Sequence, residues 1–244
     1  MATYDETFYS DLDETATPSA RRIVPMVLEL WPADSVIDVG CGDGAWLSIF
    51  ADRGVSRIHG VDGDWIADSA LKIPLENFER RRLDRDLDIG GAYDLAMSVE
   101  VAEHLAPEMA ADFVAALCRL APVVLFSAAI PHQGGVAHYN EQWPDYWAAL
   151  FAGHGYRTVD TLRQRLWDSP DVTWWYKQNL MIYASEAALA RSPRLQAAQA
   201  SSPEIPPALV HPEKYLNTVK QANPSFGRAL RQVATALKRS LSRA

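Results

Sequence analysis

The chain has 244 residues, 48% of them apolar and 22% charged, and a net charge of −8. That length suits one well-buried α/β domain with additions, and no run of 18 apolar residues occurs, so no membrane-spanning helix is expected. Two cysteines make no disulfide framework and suit a reducing cytoplasm, and the acidic stretch Met1 to Glu14 has no signal-peptide pattern. Residues 186–244 hold nine Lys/Arg against three Asp/Glu, a net of +6, which leaves −14 on residues 1–185. So acidic a body is a poor surface for nucleic acid.

Residues 1–18 are polar, with aromatics at Tyr4, Phe8 and Tyr9. A frayed end with anchoring rings and a lid over a ligand account for them equally well. Ser19 to Leu30 reads as a helix capped by Ser19, with Pro25 implying a kink or a late helix start. Val36, Ile37 and Val39 then make a buried strand, three glycines alternate with Cys41 and Asp43, and Ala45 to Arg53 is a helix stopped by Gly54. Strand, glycine loop and helix form a nucleotide cradle. Gly40, Gly42 and Ala45 satisfy the dinucleotide pattern G-x-G-x-x-A, but Asp38 at the strand end would repel a pyrophosphate and suit an ammonium.

The run D-V-G-C-G-D-G resembles motif I of the class I S-adenosylmethionine (SAM) methyltransferases. The resemblance implies that Asp38, Gly40, Cys41, Gly42, Asp43 and Gly44 hold the amino-acid end and the sulfonium of SAM. Asp62 ends the second strand, Arg57 to Asp62, 24 residues after Asp38, where nucleotide-binding units place the acid for ribose hydroxyls. A short helix is expected over Asp64 to Leu71 and an edge-like strand over Phe78 to Leu83. The family places an acid for the adenine amino group after that strand, and Asp86 fits it, although a solvated turn explains the same residues.

Tyr93 to Val99 is the next buried strand, leading into Glu100-Val101-Ala102-Glu103-His104-Leu105. A helix follows over Pro107 to Leu120, a strand over Val123 to Ser127, a polar loop from Ile130 to Gln142, and a helix over Trp143 to Gly153. Tyr156 to Asp160 and Val172 to Ala184 read as the last strands. Alternating strands and helices predict an α/β fold with a mainly parallel sheet and helices on both faces. The resemblance makes it the Rossmann-like class I methyltransferase fold, seven-stranded, with an antiparallel seventh strand at the edge.

Ligands in such sheets sit outside the carboxyl ends of the strands, where Asp38 to Gly44, Asp62, Asp86 and Glu100 all fall. An acceptor hydroxyl needs a base or a metal. His138, beside Asn140 and Glu141 in the long loop, is the favoured base, and His104 borders the same crevice. If a helix starts at Glu100, then Glu100, Glu103 and His104 share a face and suit a divalent cation. The wording resembles the metal site of small-RNA 2′-O-methyltransferases and quinone-pathway O-methyltransferases. Acids at a helix N-terminus explain it without a metal, and a metal is not favoured.

Trp143, Trp147, Trp167, Trp174 and Trp175, with Tyr139, Tyr146 and Tyr176, suggest an aromatic-lined acceptor pocket, and Arg157, Arg163, Arg165 and Lys177 supply cations on that side. H-x-N-E-Q-W-P and W-Y-x-Q-N-L resemble methyltransferases of bacterial glycan and polysaccharide genes, which implies a small-molecule or glycan acceptor. The expected organisation is a methyltransferase domain over 1–185, an Ala/Ser/Pro-rich linker over 186–207 and a basic helical extension over 208–244, whose helix Ser225 to Ser242 suits a membrane surface or a partner protein, while packing on its own domain or fraying explains the same pattern. The expected location is cytoplasmic, peripheral to the membrane if that helix binds it. Two further readings stay open: metal-assisted methylation of an RNA 2′-hydroxyl or a quinone-like phenol, and a SAM-fold scaffold without turnover.

Overall fold

The computed structural model describes residues 6–223 and Gly227, with side chains from Thr15 onward. The chain divides into two compact units, residues 1–209 and 210–244.

The first unit is built on a seven-stranded sheet. Its strands are β1 (Ser35–Val39), β2 (Arg57–Asp62), β3 (Phe78–Arg80), β4 (Leu95–Val99), β5 (Val123–Ser127), β6 (Tyr156–Val159) and β7 (Met181–Ser185), in the spatial order β3-β2-β1-β4-β5-β7-β6. β1 pairs in parallel with β2 and β4, and β7 runs antiparallel to both β5 and β6. The antiparallel strand therefore lies one place in from the edge, and β6 is the edge strand. β3 forms the other edge, as its run of arginines predicts.

Both faces of the central strands are buried, so successive residues feed opposite cores. Val36, Leu95, Met97, Val123 and Leu125 join one core with α1 (Glu6–Leu30) and α2 (Ala45–Asp52). Ile37, Val39, Ala96, Val124 and Phe126 join the other with α3 (Ala110–Leu120) and α4 (Pro144–Gly153). The chain runs outward from β1 to β3 and then restarts on the far side at β4. The loops after β1 and β4 thus face each other across the point where strand order reverses, the place such sheets use for ligands.

Four local expectations are corrected. The first helix begins at Glu6, so residues 6–18 are helical and Ser19 is not a cap: its hydroxyl donates to the Thr15 carbonyl at 2.7 Å and accepts from the Thr173 amide at 3.1 Å. Pro18 and Pro25 lie within this helix. Tyr4 lies outside the described residues. Asp64 to Leu71 contains only a 3-10 turn at Asp68–Ala70.

Val172 to Ala184 is not one strand. α5 (Leu162–Leu166) and α6 (Trp174–Asn179) precede β7, and α6 places the consecutive polar side chains Gln178 and Asn179 together against buried partners, which alternation across a strand would forbid. The linker expected over 186–207 also contains helices, α7 (Glu186–Arg191) and α8 (Pro193–Ala200). Ser185 and Ser192 cap them, Pro193 occupies the first helical position, where its missing N–H costs nothing, and Leu195 is buried. Among the described residues no helix is long and apolar enough to cross a membrane.

The second unit contains α9 (Pro212–Ala222), started by His211, whose Nδ1 accepts from the Glu213 amide at 3.3 Å. Tyr215, Leu216 and Val219 are exposed on it. Of the predicted basic helix Ser225 to Ser242, only Gly227 is among the described residues.

Candidate active site

The glycine loop is shaped by positive φ angles at Gly40 (90°), Gly42 (56°) and Gly44 (82°). A Cβ on Gly40 would stand 2.4 Å from Val101 Cγ2, because the loop after β4 packs directly upon it. A Cβ on Gly42 would meet nothing within 4 Å, so this peptide faces open space. The Gly42 amide donates to Asp62 Oδ2 at 2.7 Å and the Gly63 amide to Oδ1 at 2.6 Å, which ties the loop to the end of β2. Cys41 turns inward: a Cβ on Gly60 would lie 2.7 Å from its sulfur, so only its backbone belongs to the loop surface. Asp43, one residue before the Gly44 N-cap of α2, accepts from the Ala45 amide at 3.0 Å and pairs with Lys72 at 3.0 Å.

Asp38 is 2% exposed and has no ion-pair partner among the described residues. Burial, then the nearby charge of Asp62, pushes its carboxyl well above the usual range. Burial also raises Asp62, against the hydrogen bonds from Gly42, Gly63 and the Trp65 indole. Two buried acids beside an open glycine peptide fit a ligand that carries positive charge, as the ammonium and sulfonium of SAM do. Trp65, which the sequence reading passed over, lays its ring on Gly63, where a Cβ would be 2.2 Å away.

Asp86 does not join this group. It is an exposed loop residue whose carboxylate takes Arg81 Nη1 at 2.5 Å and the Asp88 amide at 3.0 Å, which matches the solvated-turn alternative.

Across the reversal point, Glu100 follows β4 in a left-handed conformation, φ 56°. No α-helix starts there; the chain makes only a 3-10 turn at Ala102–His104. Glu100 Oε1 accepts from Asn179 Nδ2 at 3.0 Å and Oε2 from Gln133 Nε2 at 2.9 Å. Gln178 closes the set by donating to Gln133 Oε1 at 3.1 Å and to Asn179 Oδ1 at 2.9 Å. Burial outweighs the bonds from Asn179, Ser127 and Gln133 and raises the Glu100 carboxyl. Sequence reasoning missed these three amides as site residues. Two of them, Gln178 and Asn179, lie in the W-Y-x-Q-N-L run, but that run carried no role for them.

The carboxylate–imidazole cluster is not the expected one. Glu103, His104 and His138 each offer a ligand atom within 4.8 Å of the others, and Glu100 is replaced by His138. Glu103 is 0% exposed and neither oxygen makes a well-formed hydrogen bond. Burial, then the Glu100 charge, raises it well above its usual range. The His104 ring meets His138 edge-on at 4.8 Å, and burial lowers its pKa to about 4, so it is neutral and weakly basic at pH 7.

His138 Nδ1 lies 2.9 Å from Glu141 Oε1, and the opposite edge of the ring packs over Gly135, where a Cβ would be 2.1 Å from Nε2. Burial opposes ionisation of Glu141. The bonds from His138 and from the Gly134 and His132 amides outweigh it and hold the carboxyl below its usual range. An ionised carboxylate only accepts, so Nδ1 is the donor to Glu141.

The late aromatics divide. Trp147 and Tyr176 are core: Trp147 packs on Phe126 at 5.2 Å and Tyr176 edge-on to Trp46 at 5.3 Å. Tyr139 and Trp143 stay 67% and 37% exposed on the loop that carries His138.

A family profile for the methyltransferase domain matches residues 12–169, and the chain belongs to that family. Over 106 residues it is 39% identical to the ribosomal protein L11 methyltransferase of Thermosipho africanus; that match spans 40% of this chain and 38% of the relative. Two solved structures share the fold. Streptomyces venezuelae DesVI has a TM-score of 0.54 and 16% identity, covering 74% of this chain and 96% of that one. The SAM-bound amino pentose methyltransferase CalS10 of Micromonospora echinaspora has a TM-score of 0.52 and 16% identity, covering 75% and 98%.

Proposed function

We propose that the chain transfers a methyl group from SAM to a hydroxyl of a sugar or glycan-pathway intermediate. The observation that carries this is His138, held through Nδ1 by Glu141 on the loop after β5, whose Tyr139 and Asn140 amides bond the Glu103 carbonyl in the loop after β4, the strand beside β1 and its glycine loop. SAM supplies an electrophilic methyl when bound. Asp38 suits its ammonium and Asp62 its ribose. Glu100, clamped by Gln133 and Asn179, walls the same crevice. His138 Nε2 takes the hydroxyl proton, and Glu141 stabilises the imidazolium. Exposed Tyr139 and Trp143 offer flat faces to a sugar ring. SAM-bound CalS10, with the same fold, is an amino pentose methyltransferase.

The test is a radiolabelled methyl-transfer assay on sugars, sugar nucleotides, glycolipid and short RNA at low salt. Label in a sugar supports the reading; label in RNA alone overturns it. Turnover on any acceptor removes the scaffold reading. Asp62→Ala is expected to weaken S-adenosylhomocysteine binding by about 1–3 kcal/mol, since it removes a charged acceptor and frees the Gly42 amide, and calorimetric titration measures this.

A second reading rests on the orphaned Glu103 carboxylate beside His104 and His138, a donor set that would fit a divalent cation. One feature weighs against it: Glu103 is shifted toward its neutral form. Exhaustive chelation is therefore expected to leave turnover unchanged. Loss on chelation with recovery in Mg²⁺ or Mn²⁺ would assign the cluster to a metal.

A further inference from the structure

Among the described residues, the non-glycine residues with a left-handed backbone are Glu100 (φ 56°), His132 (φ 65°) and Ala137 (φ 58°). Glu100 follows β4, and the other two lie in the loop after β5, next to Gln133 and His138. Strain of this kind persists only where surrounding bonds hold it, and it gathers at working sites. The Gln133 side chain bonds both loops. It is buried, and its Nε2 donates to Glu100 Oε2 at 2.9 Å. Its Oε1 accepts from Asn179 Nδ2 at 2.9 Å and Gln178 Nε2 at 3.1 Å, both on α6, and from the Ile130 amide at 3.2 Å in its own loop.

The backbone on each side of Gln133 is in turn held by Glu141. Its Oε2 accepts from the His132 amide at 2.7 Å, and its Oε1 from the Gly134 amide at 2.8 Å and from His138 Nδ1 at 2.9 Å. Glu141 thus spans two halves of one loop. The half that carries His138 is tied down by backbone bonds: the Tyr139 and Asn140 amides reach the Glu103 carbonyl at 2.8 and 3.0 Å, and the Gln142 amide reaches the Ala129 carbonyl at 3.2 Å. The half from Ile130 to Gly134 is tied to Glu100 and α6 by the Gln133 side chain. We propose that Gln133 is a positioning residue for methyl transfer: it fixes the His132 and Gly134 amides that orient Glu141, and so sets the His138 ring. This rests on His138 as the base of the proposed reaction and adds the residue that aims it.

The test is Gln133→Met in the full chain, which keeps the length of the side chain and removes its bonds to Glu100, Gln178, Asn179 and Ile130. Nitrogen-15 spectra of ring-labelled histidine read His138 directly, with its signal assigned from the His138→Ala chain. The wild-type ring should show a hydrogen-bonded Nδ1–H. Gln133→Met should lose that signature while S-adenosylhomocysteine binds as before. With the acceptor that takes label, kcat should fall by about 10²-fold at unchanged KM, the order that a misplaced group costs. In a Glu141→Gln chain the same substitution should add much less than that factor, because it acts through Glu141. Val27→Ala, in the core on α1, controls for lost stability alone and should keep the ring signature. If Gln133→Met fails to bind S-adenosylhomocysteine, Gln133→Asn, one methylene shorter, is read in its place. A wild-type ring signature in the variant, or a cost that multiplies in full with that of Glu141→Gln, overturns the proposal. So does loss of S-adenosylhomocysteine binding in both variants, which would assign Gln133 to the fold. If no sugar takes label, the sugar-hydroxyl reading fails instead, and the ring signature still decides what Gln133 does.

Discussion

His138→Ala is expected to lower kcat by about 10²–10⁴-fold, the usual contribution of a positioned general base, with S-adenosylhomocysteine affinity unchanged. The ring touches none of the groups that form the cofactor cradle. Its contacts are Glu141 at 2.9 Å, His104 edge-on at 4.8 Å and the bare face of Gly135. Glu141→Gln should cost less. It leaves an acceptor oxygen for Nδ1–H but removes the negative charge that stabilises the imidazolium. Single-turnover kinetics separates the step from binding, and His104→Ala is the control, since an imidazole with a pKa of about 4 is a poor proton acceptor at pH 7. If His138→Ala turned over at the wild-type rate, a different group would have to take the proton.

The second large effect is on stability. Gly40→Ala places a side chain at φ 90° and drives its Cβ to 2.4 Å from Val101 Cγ2. The backbone strain costs about 1–3 kcal/mol and the overpacking about 1–3 kcal/mol more. Scanning calorimetry should show Tm lowered by about 5–20 °C for a protein of this size. Val101→Ala in the same chain should recover the packing part and leave the backbone part. S-adenosylhomocysteine binding should suffer in both variants, because the loop that donates the Gly42 amide to Asp62 is displaced. A Gly40→Ala chain as stable as wild type would mean that the β1 and β4 loops do not meet here. Gly42→Ala distinguishes the two costs, as its Cβ would meet no neighbour and only the backbone component applies.

The strand–glycine-loop–helix unit was legible because its parts are contiguous. Asp38, the three glycines and the α2 start lie within eight residues, and chain-local rules on φ, strand burial and capping set their arrangement. Asp62 was legible for a related reason, since one βα unit fixes its distance from Asp38. The parallel sheet followed from the alternation of apolar runs with helical stretches.

The acceptor half of the site was decided by tertiary structure. Glu100 meets Asn179 across 79 positions, and Gln133 across 33, because β4, β5 and β7 lie side by side, an order that no local pattern encodes. The same pairing put His138 in place of Glu100 beside Glu103 and His104. Helical spacing failed at Glu100 because a left-handed residue ends β4, so the i, i+3, i+4 face never forms. The fates of the four acceptor-side cations depended on which acids folding brought within reach. Residue types could name the candidates, but only the packed chain shows that Arg157, Arg163 and Arg165 are paired.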